Sequence, residues 1–119
     1  MNDPTGQAAA LLERLASARP VLFDLGTPDI GASPEMSQLV ELGPQIAPYL
    51  LQRAEVAEPC VTAYAVHALA QLGDRSMVER LAQLRDRYEA DPNKDPWKYA
   101  VVGQCRLAIA ELQSIHSDE

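Results

Sequence analysis

The chain reads as all-α, and three observations carry that reading. Its 119 residues are 47% hydrophobic but only 5% aromatic, because 18 Ala and 15 Leu supply most of the apolar content, and both are strong helix formers. Val, Ile, Thr and aromatic residues nowhere gather into regularly spaced alternating runs, so an extensive sheet is not expected. The stretch LVELGPQIAPYLL, Leu39 to Leu51, sets a Gly-Pro pair between two apolar runs, and LAQLGDRSMVERL, Leu69 to Leu81, repeats the arrangement thirty residues later. One core suffices for this length. The expected organisation is a single helical domain over 1–119: an N-terminal helix and connector (1–33), a repeat region (34–113) and a polar tail (114–119).

Each element follows from its punctuation. Ala8, Leu11, Leu12 and Leu15 stand at i, i+3, i+4, i+7, an amphipathic helix over 6–18 that Arg19-Pro20 ends. The stretch VLFDLGTPDIGAS predicts an ordered connector, turned at Gly26, Pro28 and Gly31 and anchored by Phe23. Ser33 as N-cap, Pro34 at the first helical position and Glu35 at the positive end of the dipole predict a helix over 34–42, stopped at Gly43. Pro44 starts another through about Ala54, with Ile46, Leu50 and Leu51 inward; Pro48 lies near enough to its first turn to cost little. Pro59 opens a fourth, 60–72, with Val61, Ala65, Ala68, Leu69 and Leu72 on one face, closed by Gly73. Asp74 caps a fifth, 75–89, with Met77, Val78, Leu81, Leu84 and Tyr88 inward and Arg75/Glu79 and Arg85/Glu89 spaced to pair on the wet side. The last, 97–113, buries Val101, Cys105, Ala108, Ile109 and Leu112.

Leu39, Leu42 and Gly43 superpose on Leu69, Leu72 and Gly73 at an offset of thirty. A looser copy at forty sets Ala65, Ala68, Leu69 and Leu72 on Cys105, Ala108, Ile109 and Leu112. A two-helix unit recurring near this period marks an α-solenoid, whose units cannot bury their apolar faces alone; a plain irregular helical bundle would show the same Ala/Leu periodicity, and the paired Leu-x-x-Leu-Gly turns favour the solenoid. EPCVTAYAVHALAQLGD resembles the helix of a HEAT repeat, with Val61, Ala65, Ala68-Leu69 and Leu72-Gly73 at the family's apolar and turn positions; PWKYAVVGQCRLAIAEL is a weaker match. The resemblance covers 34–113 and implies a short HEAT-like α-solenoid of about six helices with an extra N-terminal helix. Where HEAT units often carry Arg after the Val, this chain has Thr62 and Val102, so the family's polar ladder is missing. Because the repeats begin beyond residue 30, removal of the preceding segment is expected to leave a folded remnant.

A net charge of -7 argues against nucleic acid and anionic membrane surfaces as partners. Residues 1–59 hold three basic and eight acidic residues, 60–119 seven and nine, so the acidic excess lies in the N-terminal half and suits a basic protein partner. Cys60 and Cys105 fall inside predicted helices and are expected to be reduced. With no basic leader and no membrane-length apolar run, the expected location is cytoplasmic.

Chemistry-bearing motifs are few. The glycines of GTPDIG, Gly26 to Gly31, lack the Lys-Ser/Thr of a phosphate loop. Cys60 and His67 do not have zinc spacing, Cys105 falls on the buried stripe, and Glu55/Glu58 and Asp91/Asp95 lie in polar turns. No enzyme activity, cofactor or metal is expected. What stands out is two outward faces too apolar for solvent: Ala63, His67 and Ala70 flanked by Tyr64, Val66 and Gln71, and Tyr99, Gly103, Arg106, Leu107 and Ala110; either further helices cover them, or they form the concave groove in which solenoids hold partners. Tyr and Arg are enriched in binding hot spots, so Tyr64, His67, Gln71, Tyr99, Arg106 and Leu107 are the expected partner-binding residues of a non-enzymatic protein-binding module. Trp97, at the start of the last helix, suits the core equally. Two other non-enzymatic readings share the acidic helical surface: an immunity- or antitoxin-like inhibitor of a basic protein, and an accessory subunit of a larger complex. A bilin-lyase-like enzyme is what the HEAT resemblance allows as a third.

Overall fold

In the computed structural model, residues 4–17, 34–56, 59–73, 75–92 and 96–114 are described. They form six α-helices, α1 (Pro4–Ser17), α2 (Pro34–Glu41), α3 (Ala47–Val56), α4 (Pro59–Leu72), α5 (Val78–Ala90) and α6 (Pro96–Ser114), with 3-10 turns at Pro44–Ile46 and Arg75–Met77. No strand occurs among the described residues. The connector with Phe23 and the Gly26–Gly31 turns, the caps at Ser33 and Asp74, and the tail beyond Ser114 lie outside them.

Proline and glycine place most helix ends near where the sequence predicts, but the segments from Pro44 and Arg75 open as 3-10 turns, and their α-helices begin at Ala47 and Val78. Pro48 is the second residue of α3, where a helix has no internal partner for the missing N–H. After α2 the chain turns at Gly43, whose φ of +88° favours a residue without Cβ; Gln45 then donates its side-chain amide to the carbonyl of Leu42 at 2.8 Å. Gly73 ends α4 differently, since its φ is not positive. Here space is limiting: an added Cβ would lie 2.8 Å from the Leu69 carbonyl oxygen and 3.1 Å from the Met77 sulfur. Each glycine is followed by a 3-10 turn and a helix, at Pro44 and Arg75 respectively. The two copies therefore share an order of elements while their glycines do different jobs.

α4 packs against α1, α2, α3 and α6, while α5 packs mainly on α6. α4 with α6 is the most extensive pairing, followed by α5 with α6, α3 with α4 and α1 with α2; α2 with α3 and α4 with α5, though consecutive, touch little. The Gly43 and Gly73 turns thus lead from one packed pair to the next. The smallest dimension, 24 Å, is about two helix diameters. α1 is no appendage, because Ala8, Leu11, Leu12 and Leu15 are buried in the common core. That argues against the expected folded remnant: cutting before residue 30 would uncover the faces of α2 and α4 that α1 packs on.

α4 corrects the expectation of a single buried stripe. Val61 to Val66 are buried without a break, with Ala68, Leu69 and Leu72 beyond them. Tyr64, Ala63 and Val66 therefore belong to the core, for the physical reason that other helices cover this helix on its several sides. Thr62 is fully buried and donates its hydroxyl to the carbonyl of Ala54 at 3.1 Å. That carbonyl is in the last turn of α3, where helical acceptors lack an internal donor. α5 shows a second difference. Glu89 pairs with Arg106 of α6 and Arg85 with its neighbour Asp86, displacing the expected Arg85/Glu89 pair, whose one-helix geometry is worth only about 0.3–0.5 kcal/mol. Arg80 pairs with Glu55, and Arg87 donates to the Glu55 carbonyl, tying α5 to the end of α3.

Candidate partner-binding surface

The six residues expected to bind a partner divide into three environments. Tyr64 is 3% exposed, its ring 5.7 Å from that of Trp97 and tilted at 54°; it is a core side chain that seats the start of α6 on α4. Sequence reasoning left Trp97 undecided, and it too packs against the core, partly buried.

His67 and Gln71, one turn apart on α4, border a groove of about 300 Å³ shared with Met36, Ser37 and Val40 of α2. The amide oxygen of Gln104 lies 2.9 Å from Nδ1 of His67. Since an amide oxygen can only accept, Nδ1 of His67 is the donor in this contact. α2 carries Glu35 and Glu41 and no basic residue, while the groove itself is lined by neutral side chains of that helix. Ser37, Val40 and Gln104 were not foreseen. Their proximity depends on how three helices meet, which spacing along one helix does not encode.

Tyr99, Arg106 and Leu107 lie on the outer face of α6, as expected. Tyr99 is 54% and Leu107 59% exposed, and between them a Cβ added to Gly103 would meet nothing within 4 Å. A mid-helix glycine costs roughly 0.5–1 kcal/mol relative to Ala, and no crowding within the chain requires it. Arg106 reaches Glu89 at 2.5 Å, an exposed pair worth about 1 kcal/mol or less. Lys98 places its ammonium 5.6 Å from the Tyr99 ring centroid and donates to the Asp91 carbonyl.

The thiols offer little chemistry. Neither cysteine is in a disulfide. Burial pushes the Cys105 thiol up to about 12, against a smaller opposing pull from the Arg85 cation, so at neutral pH it is protonated and a poor nucleophile. Among the described residues, no three His, Cys, Asp or Glu side chains are grouped to hold a metal ion, and no helix is long and apolar enough to cross a membrane.

Among the described residues the chain is all-helical, with a groove between α2 and α4 on one side and the exposed Tyr99 and Leu107 of α6 on another. No family model, curated protein or solved structure matches the chain.

Proposed function

We propose that the chain is a non-enzymatic, cytoplasmic protein-binding module of HEAT-like helical-repeat type. The observation that carries the reading is the outer face of α6, where Tyr99 and Leu107 are more than half exposed around an open glycine. Large apolar side chains gathered on one helical face favour a protein partner over water. The repeated order of helix, glycine, 3-10 turn and helix and the two-helix thickness support the solenoid reading. The net charge of -7 suits a basic partner.

The test is capture of partners from a native lysate, identified by mass spectrometry, using the wild type beside Arg106→Glu and Tyr99→Ala. A specific partner should be retained by the wild type and weakened by roughly 1–3 kcal/mol in each variant, the range for anchor residues, with melting temperatures nearly unchanged. Equal capture by all three proteins would remove the α6 face from the binding surface. If the groove receives a basic protein, association should slow as salt rises while dissociation changes little.

A further inference from the structure

We propose that α5 is a strap that opens as a unit while the other helices stay packed, and that exposed ion pairs set how often it does so. The inference concerns the chain alone and needs no partner. α5 is anchored by few apolar side chains: of its 13 residues only Leu81 and Leu84 are buried, against nine of the 14 in α4. Val78 and Tyr88 add half-buried contacts. α5 packs mainly on α6, whereas α6 packs most extensively on α4. Departure of α5 therefore breaks one helix pairing and leaves those among α1, α2, α3, α4 and α6 in place. Segments with few buried apolar contacts open at a lower free energy than the whole chain unfolds.

The remaining ties of α5 are polar. Arg80 pairs with the Glu55 carboxylate and Arg87 donates to the Glu55 carbonyl, so one residue at the end of α3 receives two of its arginines. Glu89 pairs with Arg106 of α6. The four side chains of the two ion pairs are between 31% and 64% exposed, so each pair is weak and is screened by salt. Opening also has a chemical reporter. Cys105 has no exposure, and its neighbours on α6 meet different helices: Gln104 contacts His67 of α4 and Arg106 contacts Glu89 of α5. The thiol lies between them on the buried side, and Arg85 of α5 is close enough for its charge to act on it. With α5 open, that flank of α6 is uncovered and Cys105 gains a route to solvent.

Native-state hydrogen exchange of the full chain in low urea, resolved by peptide, tests the strap. Amides of α5 should exchange through an opening with a smaller urea slope than those of α4, because less surface is exposed. Glu55→Gln and Glu89→Gln should each speed exchange in α5 roughly twofold to fivefold, the range for an exposed ion pair, and leave α4 unchanged. Added salt should likewise speed α5 and not α4. Ala8→Gly, on α1 and remote from α5, lowers the stability of the whole chain and should speed α4 without affecting α5. A thiol reagent should modify Cys105, followed on its own peptide, at a rate that rises with each Gln variant. Equal urea slopes for α4 and α5, with both accelerated by Ala8→Gly, would show that α5 leaves only by global unfolding and overturn the proposal. Exchange in α5 that ignores salt and both Gln variants overturns the control by ion pairs, and labelling of Cys105 that tracks α4 instead of α5 overturns its exposure by the strap.

Discussion

Replacing Thr62 by Val removes one hydroxyl from the interior and keeps the volume. The hydroxyl lies 3.1 Å from the Ala54 carbonyl oxygen on a residue with no solvent exposure, so water cannot take over as donor. The substitution leaves a buried acceptor at the end of α3 without this partner, a loss of about 1–3 kcal/mol, and adds no cavity. Thr62→Ser keeps the donor and deletes one methyl, costing about 1 kcal/mol by lost burial. Urea unfolding followed by circular dichroism separates the two: Thr62→Val should lower the midpoint at unchanged slope, and by more than Thr62→Ser. Equal stability of Thr62→Val and wild type would refute the argument that this contact joins α3 to α4, and a Ser variant weaker than the Val variant would show that the methyl outweighs the hydroxyl.

Gly43, Gly73 and Gly103 should respond differently to alanine. Gly43→Ala should destabilise by about 1–2 kcal/mol from its positive φ, Gly73→Ala should destabilise through contact with the Leu69 carbonyl and Met77, and Gly103→Ala should stabilise the single chain by roughly 0.5–1 kcal/mol; thermal melts at low concentration read all three. Tyr64→Ala should lose about 3–5 kcal/mol as a buried aromatic, whereas Arg106→Glu should leave the melting temperature almost where it was. Cys105 contributes an alkaline dependence. Its folded value is raised, so its contribution is fully present below the unfolded value near 9 and is lost as pH rises toward about 12. Cys105→Ala should flatten the fall in stability across that window, measured by urea midpoints, and an identical slope in both proteins would refute it.

Helix boundaries were legible because proline and glycine punctuate the chain: Pro34, Pro44, Pro59 and Pro96 open elements, and Gly43 and Gly73 follow their ends. The burial of α4 was only half legible: its second apolar face allowed either cover by further helices or a groove, and Ala63, Tyr64 and Val66 are covered. A signal existed in PCVTAYAVHALAQL, which contains no Asp, Glu, Lys or Arg; a helix without charge anywhere on its circumference is an interior helix. The stripe on α6 was legible because it belongs to one helix. The groove was only half legible: His67 and Gln71 share a helix face, but Met36, Ser37 and Val40 reach them through a packing that no periodicity specifies.

The central position of α4 also bears on the order in which the chain is made. Synthesis delivers α1, α2 and α3 before α4, so most of the surfaces that shelter this uncharged helix exist when it leaves the ribosome. Its remaining cover, α6, starts at Pro96, more than twenty residues after α4 ends. During that interval the nascent chain carries Tyr64 without Trp97 and His67 without Gln104. A ribosome paused late in α6, with α4 outside the exit tunnel and α6 still within it, should therefore display a half-finished interior, the stage at which a chaperone has most to bind and at which slowed translation would expose the chain most to aggregation.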